Sequence, residues 1–129
     1  MANLDLRRVI FIHTALIGEY GGSEGVRDVE SLEAAIARPW GAYFGKEHFP
    51  TPFDKAAAIT ESIIRRHSFL DGNKRTGISS GAYLLSTFGY EVESSQKELE
   101  DFGVDVANDE MAFEEISGWF EGRSEEAGR

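Results

Sequence analysis

Apolar residues return every third or fourth position near the start of the chain. Leu6, Val9, Ile10, His13, Leu16, Ile17 and Tyr20 share one stripe, which predicts an amphipathic helix ending at Gly21-Gly22, with His13 on its buried face. A second helix is predicted behind Asp28, a capping residue type, with Val29, Leu32, Ala35 and Ile36 along it and a stop before Pro39. Residues 39–52, PWGAYFGKEHFPTP, mix Gly, Pro and aromatics without a period and read as a loop or flap. Thr51, Pro52 and Asp54 supply a cap, a first-turn proline and an acid at the capping-box position, so a third helix should run to about Arg66. Its Ala56, Ala57, Ile59, Ile63 and Ile64 suit a helix closely buried in the middle of a bundle. The segment LDGN breaks the pattern. A fourth helix is predicted from about Asn73 through Ile78, Ala82 and Leu85 to Phe88, with Gly89 as its stop. Shorter helices are expected near 96–106 and 110–120. The only strand candidate is YEVES after Gly89, and the tail GRSEEAGR reads as frayed over about residues 122–129.

The predicted fold class is therefore all-α, a compact bundle of about six helices. A chain of 129 residues, 41% hydrophobic, has material for one core and too little for two ordinary domains, so a single domain over 1–129 is expected. There is no cysteine, hence no disulfide framework and no thiolate metal site. The start of the chain lacks a long apolar run, and a soluble, cytoplasmic protein without membrane attachment is the expectation.

Charge narrows the chemistry further. Thirteen Lys and Arg against twenty-three Asp and Glu give a formal net charge of -10, which repels nucleic acid, anionic membrane and free nucleotide alike. Any anion site must be built locally. Between residues 65 and 75, Arg65, Arg66, Lys74 and Arg75 stand against Asp71 alone, a net +3 inside an acidic chain.

That reversal falls on HSFLDGNKRTG, residues 67–77. A loop feeding a helix N-terminus presents unpaired N–H groups at the positive end of the helix dipole, which together cradle an anion. Gly72 lets a phosphate approach the backbone, and Asn73, Lys74 and Arg75 occupy the first turn, within reach of phosphate oxygens. Asp71 is a candidate ligand for a magnesium ion carried on nucleotide phosphates. His67 is a candidate general base for a hydroxyl nucleophile. Each residue also has an ordinary structural reading: a helix-end histidine, an Asp-Gly-Asn turn, a solvated Lys-Arg pair, and Phe69 as a core anchor. Their joint order favours a site.

The order of His67, Phe69, Asp71, Gly72, Asn73, Lys74 and Arg75 resembles the signature of the Fic/Doc superfamily. The Fic form has Pro after the histidine, Gly between Asn and Arg, and a second Arg three residues beyond the first, where this chain has Ser68, Lys74 and Ile78. Lys74, Thr76 and the missing second Arg resemble the Doc (death on curing) toxin branch, as does IHTALIGEYGG at 12–22. The resemblance implies a Fic-type bundle with the signature loop between two central helices, and ATP with magnesium as cofactors. It implies His67 as the base, Asp71 as the metal ligand, phosphate contacts from Gly72, Asn73, Lys74 and Arg75, and Phe69 as a structural anchor. Doc-type proteins transfer the terminal phosphate of ATP to a protein hydroxyl, with elongation factor Tu as the known kind of target, and so arrest translation. Fic proteins generally transfer AMP instead.

Around this core three further expectations stand. His13 is either a hydrogen-bonded core histidine or a site-lining one, and Arg65 or Arg66 lines the site. The resemblance implies a cognate antitoxin whose disordered C-terminal segment folds onto the toxin, with no direct nucleic-acid contact by the acidic chain. SGWFEG at 117–122 has the spacing of a Fic inhibitory helix through Ser117, Glu121 and Gly122, but its partner Arg is replaced by Ile78, so a last core helix is the favoured reading. AMP transfer and a catalytically inactive nucleotide- or antitoxin-binding module remain the alternatives to a Doc-type kinase.

Overall fold

A computed structural model describes residues 4–127. Six α-helices carry the fold, α1 (Leu6–Tyr20), α2 (Val29–Ala37), α3 (Pro52–Arg66), α4 (Asn73–Thr87), α5 (Gln96–Ala107) and α6 (Phe113–Gly122). The starts follow local chemistry. Asp5, Asp28, Thr51 and Ser95 each accept a hydrogen bond from the backbone N–H three residues on, and Glu98 closes a full capping box with Ser95.

α3 is the central helix. From Lys55 to Ile64 only Glu61 escapes full burial, because α3 has apolar neighbours on two sides. On one side Ala56, Ala57 and Ile64 pack with Leu85 of α4, Phe102 and Val106 of α5, and Ile116 and Phe120 of α6. On the other, Ile59 and Ile63 pack with Val9 of α1, Leu32 of α2, Phe69 and Leu84. The antiparallel neighbour α4 comes unusually near. A Cβ added to Gly81 would lie 2.4 Å from Thr60 Oγ1, and one on Gly77 would lie 2.8 Å from Ile64 Cγ1. Small residues on both facing helices therefore set the spacing of the two elements that flank the 67–72 loop.

Two expectations need correction. The flap is not without regular structure: a 3-10 turn (Arg38–Trp40) leads into a hairpin of β1 (Ala42–Tyr43) and β2 (Lys46–Glu47). Phe44 and Gly45 turn it with φ of 50° and 78°, and two-residue strands are too short to leave an alternating pattern. Nor is the tail frayed. Ser124–Glu126 forms β4, antiparallel to β3 (Tyr90–Val92), and Ala127 N–H donates to the Gly89 carbonyl at 2.7 Å. Backbone groups of β3 demand partners and the returning tail supplies them, a pairing no local pattern announces. Residues 128 and 129 of that tail lie outside the described residues.

The hairpin is rooted on α3. Lys55, 3% exposed, donates to Glu47 Oε1 at 2.6 Å and to the Phe49 carbonyl, with its ammonium 5.3 Å from the Trp40 ring centroid. Its tip is free, with Tyr43 and Phe44 65% and 90% exposed, so these aromatics do not cover the core.

Candidate active site

α3 ends one residue before His67, whose φ of 52° and ψ of 55° are left-handed. A side chain in that region costs about 1–3 kcal/mol and persists only where the surroundings hold it. Here it turns the chain off the helix and leaves His67 exposed. Five residues on, Gly72 is also left-handed, with φ 75°, and is the N-cap of α4 without any side-chain cap. The first N–H groups of α4 thus lack the side-chain acceptor found at the starts of α1, α2, α3 and α5.

Local and long-range hydrogen bonds together hold the loop between these two turns. Asn73 Oδ1 accepts from Phe69 N–H at 2.9 Å, and its Nδ2 donates to the Phe69 carbonyl at 3.0 Å. Phe69, 1% exposed, stacks on His13 with centroids 3.9 Å apart and planes 9° from parallel. His13 Nε2 lies 2.8 Å from the Asp71 carbonyl, which can only accept, so Nε2 carries the proton and donates. The α1–α2 linker adds a strap: Arg27 and Asp28 N–H donate to the Ser68 carbonyl at 2.8 and 3.2 Å, and Leu70 N–H donates to the Gly25 carbonyl at 3.0 Å. Ser68 is fully buried, its hydroxyl 3.1 Å from that of Ser31.

These contacts sort the candidate residues. His67, Asp71 and Lys74 are exposed around the loop. Asp71 Oδ1 accepts from Gly72 N–H at 2.9 Å and Oδ2 from Ser23 N–H at 3.2 Å, which fixes the carboxylate and leaves further lone pairs outward. Arg75 lies over the Tyr20 ring at 3.6 Å, with Glu100 Oε2 3.7 Å from its guanidinium. Asn73 opens α4, but its side-chain amide is committed to Phe69. His13, 2% exposed, is a buried support beneath the loop.

Arg65 and Arg66 do not line the clefts of the motif. Arg65 turns toward α5 and α6, donating to the Val106 carbonyl at 3.0 Å and the Met111 carbonyl at 2.9 Å, and pairs with Glu61 and Asp109. Arg66 is exposed. The physical reason for Arg65 is competition: the Val106 carbonyl in the last turn of α5 and the Met111 carbonyl in the α5–α6 connection, with the Glu61 and Asp109 carboxylates, together give its planar guanidinium acceptors away from the loop. SGWFEG is part of α6. Ser117 donates to Asp54 Oδ1 at 2.7 Å at the start of α3, thirteen residues and about 20 Å of helix from His67.

Three clefts meet around Lys74. One, of about 240 Å³, is bounded by Asp71, Gly72, Lys74, Arg75, Ile17 and Tyr20. It shares Leu16, Tyr20, Lys74 and Arg75 with a more apolar cleft of about 290 Å³ between α1, α4 and α5, where Ile78, Leu99 and Val104 contribute walls. A smaller cleft of about 180 Å³ lies on the His67 side, with Ile64, Leu70 and Ala107. Among the described residues no cluster of three His, Cys, Asp or Glu could cage a metal alone. A single fixed carboxylate at Asp71 beside an anion cradle does fit magnesium bound to nucleotide phosphates, which takes one or two carboxylates and fills its remaining positions with phosphate and water.

A left-handed histidine, a helix start without a side-chain cap and an adjoining carboxylate, joined by a loop between two central helices, are the arrangement expected of a Fic-type fold. The sequence matches the Fic/DOC family over residues 3–85, and the chain belongs to that family. Within it, the chain falls in the Doc branch. It is 39% identical over 92 residues to Toxin Doc of Mycolicibacterium smegmatis, an alignment covering 71% of this chain and 66%, just under two thirds, of that one. It is 32% identical over 117 residues to Protein kinase doc of Escherichia phage P1, covering 91% of each.

Proposed function

We propose that this protein is a Doc-like toxin that transfers the terminal phosphate of ATP to a hydroxyl of a translation factor, elongation factor Tu being the expected target. The observation that carries this reading is the cleft arrangement around Lys74. The more apolar cleft at Ile78, Leu99 and Tyr20 lies beyond the cradle from His67, so a nucleoside seated there directs its terminal phosphate back toward the histidine. The name of the phage P1 relative as a protein kinase supports the same reading.

In that reaction His67 accepts the proton of the attacking hydroxyl. The hydroxyl oxygen forms its bond to the terminal phosphorus as the bond to the bridging oxygen breaks, and ADP leaves. The N–H groups at the start of α4, with Lys74 and Arg75, hold the phosphate oxygens as charge shifts toward the leaving group. Asp71 would hold magnesium, which supplies charge neutralisation between the phosphates when bound. Catalysis of this kind is positioning and electrostatics, which a rigidly strapped loop provides.

AMP transfer keeps a specific observation in its favour: the smaller, mainly polar cleft beside His67 also includes Ile64, Leu70 and Ala107, and a nucleoside seated there would bring the alpha phosphorus to the histidine. A cognate antitoxin is the expected partner, as the toxin relatives suggest, and the acidic surface argues that any operator contact is the partner's. Among the described residues no helix is long and apolar enough to cross a membrane.

Incubation with magnesium, elongation factor Tu and ATP labelled in parallel at the alpha or gamma phosphate tests the proposal. Gamma label alone, lowered about 10²–10⁴-fold by His67→Ala, is the expected result. Alpha label would replace the kinase reading with AMP transfer. No His67-dependent label on this factor or in whole lysate would favour a binding module. Lys74→Gly, which opens the space that Gly gives the Fic form, is expected to change which group is transferred.

A further inference from the structure

The carbonyls of Arg66 and His67 stand at the negative end of α3, where a helix has no N–H of its own to offer. Both are held by one side chain from a segment forty residues earlier. Arg27 Nε donates to the His67 carbonyl at 2.7 Å, and its Nη2 donates to the Arg66 carbonyl at 2.7 Å. Among the described residues no other side chain donates to either oxygen. From these contacts we propose that Arg27 is a positioning residue for His67, a role that rests on reading His67 as the base of the transfer reaction.

The geometry is specific to a guanidinium. Its donors are fixed in one plane, so a single Arg reaching two consecutive carbonyls fixes the relative orientation of two successive peptide planes. Those planes flank the φ of His67, the dihedral that stands at 52°. Backbone bonds from Gly25, Arg27 and Asp28 act one step further on, at Ser68 and Leu70, and Val26 bridges Phe69. The linker thus grips the loop at two levels. Its backbone holds residues 68–70, and the Arg27 side chain holds 66 and 67, where the imidazole is aimed. An ordinary helix cap would steady α3 anywhere along its last turn. This one bears on the residue whose left-handed backbone places the candidate base in the open.

Arg27→Met keeps the aliphatic stem and removes the donors, while Arg27→Lys keeps the charge but not the fork. Two readouts separate positioning from simple stability. In the nucleotide-free protein, backbone chemical shifts and HN–Hα couplings of residues 66–68 report the φ of His67, and Arg27→Met is expected to lose the left-handed signature there while shifts elsewhere in α3 and α4 stay. In transfer from ATP, kcat is expected to fall about 10–100-fold, the cost of misplacing a reacting group by about 1 Å. KM for ATP should move by less than about twofold. Arg27→Lys should recover part of kcat, and it carries the test if the Met variant does not fold. A retained left-handed signature, an unchanged kcat, or a rise in KM at constant kcat would each overturn the proposal. If the unmodified protein shows no His67-dependent transfer, the proposed reaction itself fails, and the couplings alone decide whether Arg27 sets the His67 backbone.

Discussion

His13 Nε2 donates to the Asp71 carbonyl at 2.8 Å from beneath the loop, across 58 positions of sequence. The bond joins the buried face of α1 to the residue before the anion cradle, and the same imidazole stacks on Phe69. His13 therefore supports the site from below without reaching the solvent side. His13→Ala removes the ring, its stacking and, among the described residues, the only side-chain donor to that carbonyl. Thermal or urea unfolding should show a loss of about 2–4 kcal/mol, the sum expected for a truncated core side chain and a lost hydrogen bond. Transfer activity should fall as well, because Asp71 and Gly72 lose their floor.

Asn73 and Lys74 are neighbours with opposite expected phenotypes. Asn73→Ala leaves both backbone groups of Phe69 without their partner, and should cost about 1–3 kcal/mol in urea unfolding. Lys74 is exposed, and among the described residues its ammonium makes no hydrogen bond or ion pair. Lys74→Ala should change stability by no more than about 0.5 kcal/mol while weakening ATP binding in calorimetric titration. Equal stability losses in the two variants would show that Asn73 is not the clasp described.

Gly81 lies where α4 crosses closest to α3. A methyl there meets Thr60 Oγ1 at 2.4 Å, Phe120 Cζ at 2.9 Å and the Ala56 carbonyl at 3.1 Å. Helix propensity alone would make Gly81→Ala stabilising by about 1 kcal/mol. The clash should dominate, giving a net loss of about 1–3 kcal/mol read as a lowered Tm. Gly118, with nothing near its added Cβ, is the control in which propensity should win.

Glu98 is the titrating group of the α5 capping box. Its carboxyl is held below the ordinary value of 4.5, first by the Ser95 N–H it accepts from, then by Arg123. A depressed carboxylate contributes stability that is present above its unfolded pKa and lost as pH falls through the folded one. The start of α5 should therefore exchange its amides faster only as pH drops below about 4.5, after correction for intrinsic exchange. Glu98→Gln should abolish that pH dependence while leaving the helix formed.

Most helix boundaries were legible because their causes are local. Asp28, Thr51 and Gly89 act within a few residues of themselves, and the stripe on α1 follows from a period of 3.6. The family was legible too, since the order of His67, Asp71, Gly72 and Lys74 along one short segment carries the resemblance that the family match over residues 3–85 bears out. The Gly77 and Gly81 spacing was a signal available in the sequence, two small residues four apart on one helix face, and it marks the α3–α4 approach. Less legible were the hairpin at 42–47, too short to alternate, and the β4 tail, whose partner lies some thirty residues away.

The sequence by itself determined which residue types stand at the turn between the two central helices, and with them the family. The tertiary structure alone decided how those residues are employed. Asn73 clasps the backbone, Arg65 leaves for the ends of α5 and α6, His13 becomes a floor, and Arg27 arrives at the end of α3. The physical reason is that a helix cap is satisfied by neighbours in sequence, whereas a carbonyl at the far end of a helix or loop takes whichever donor the fold brings to it.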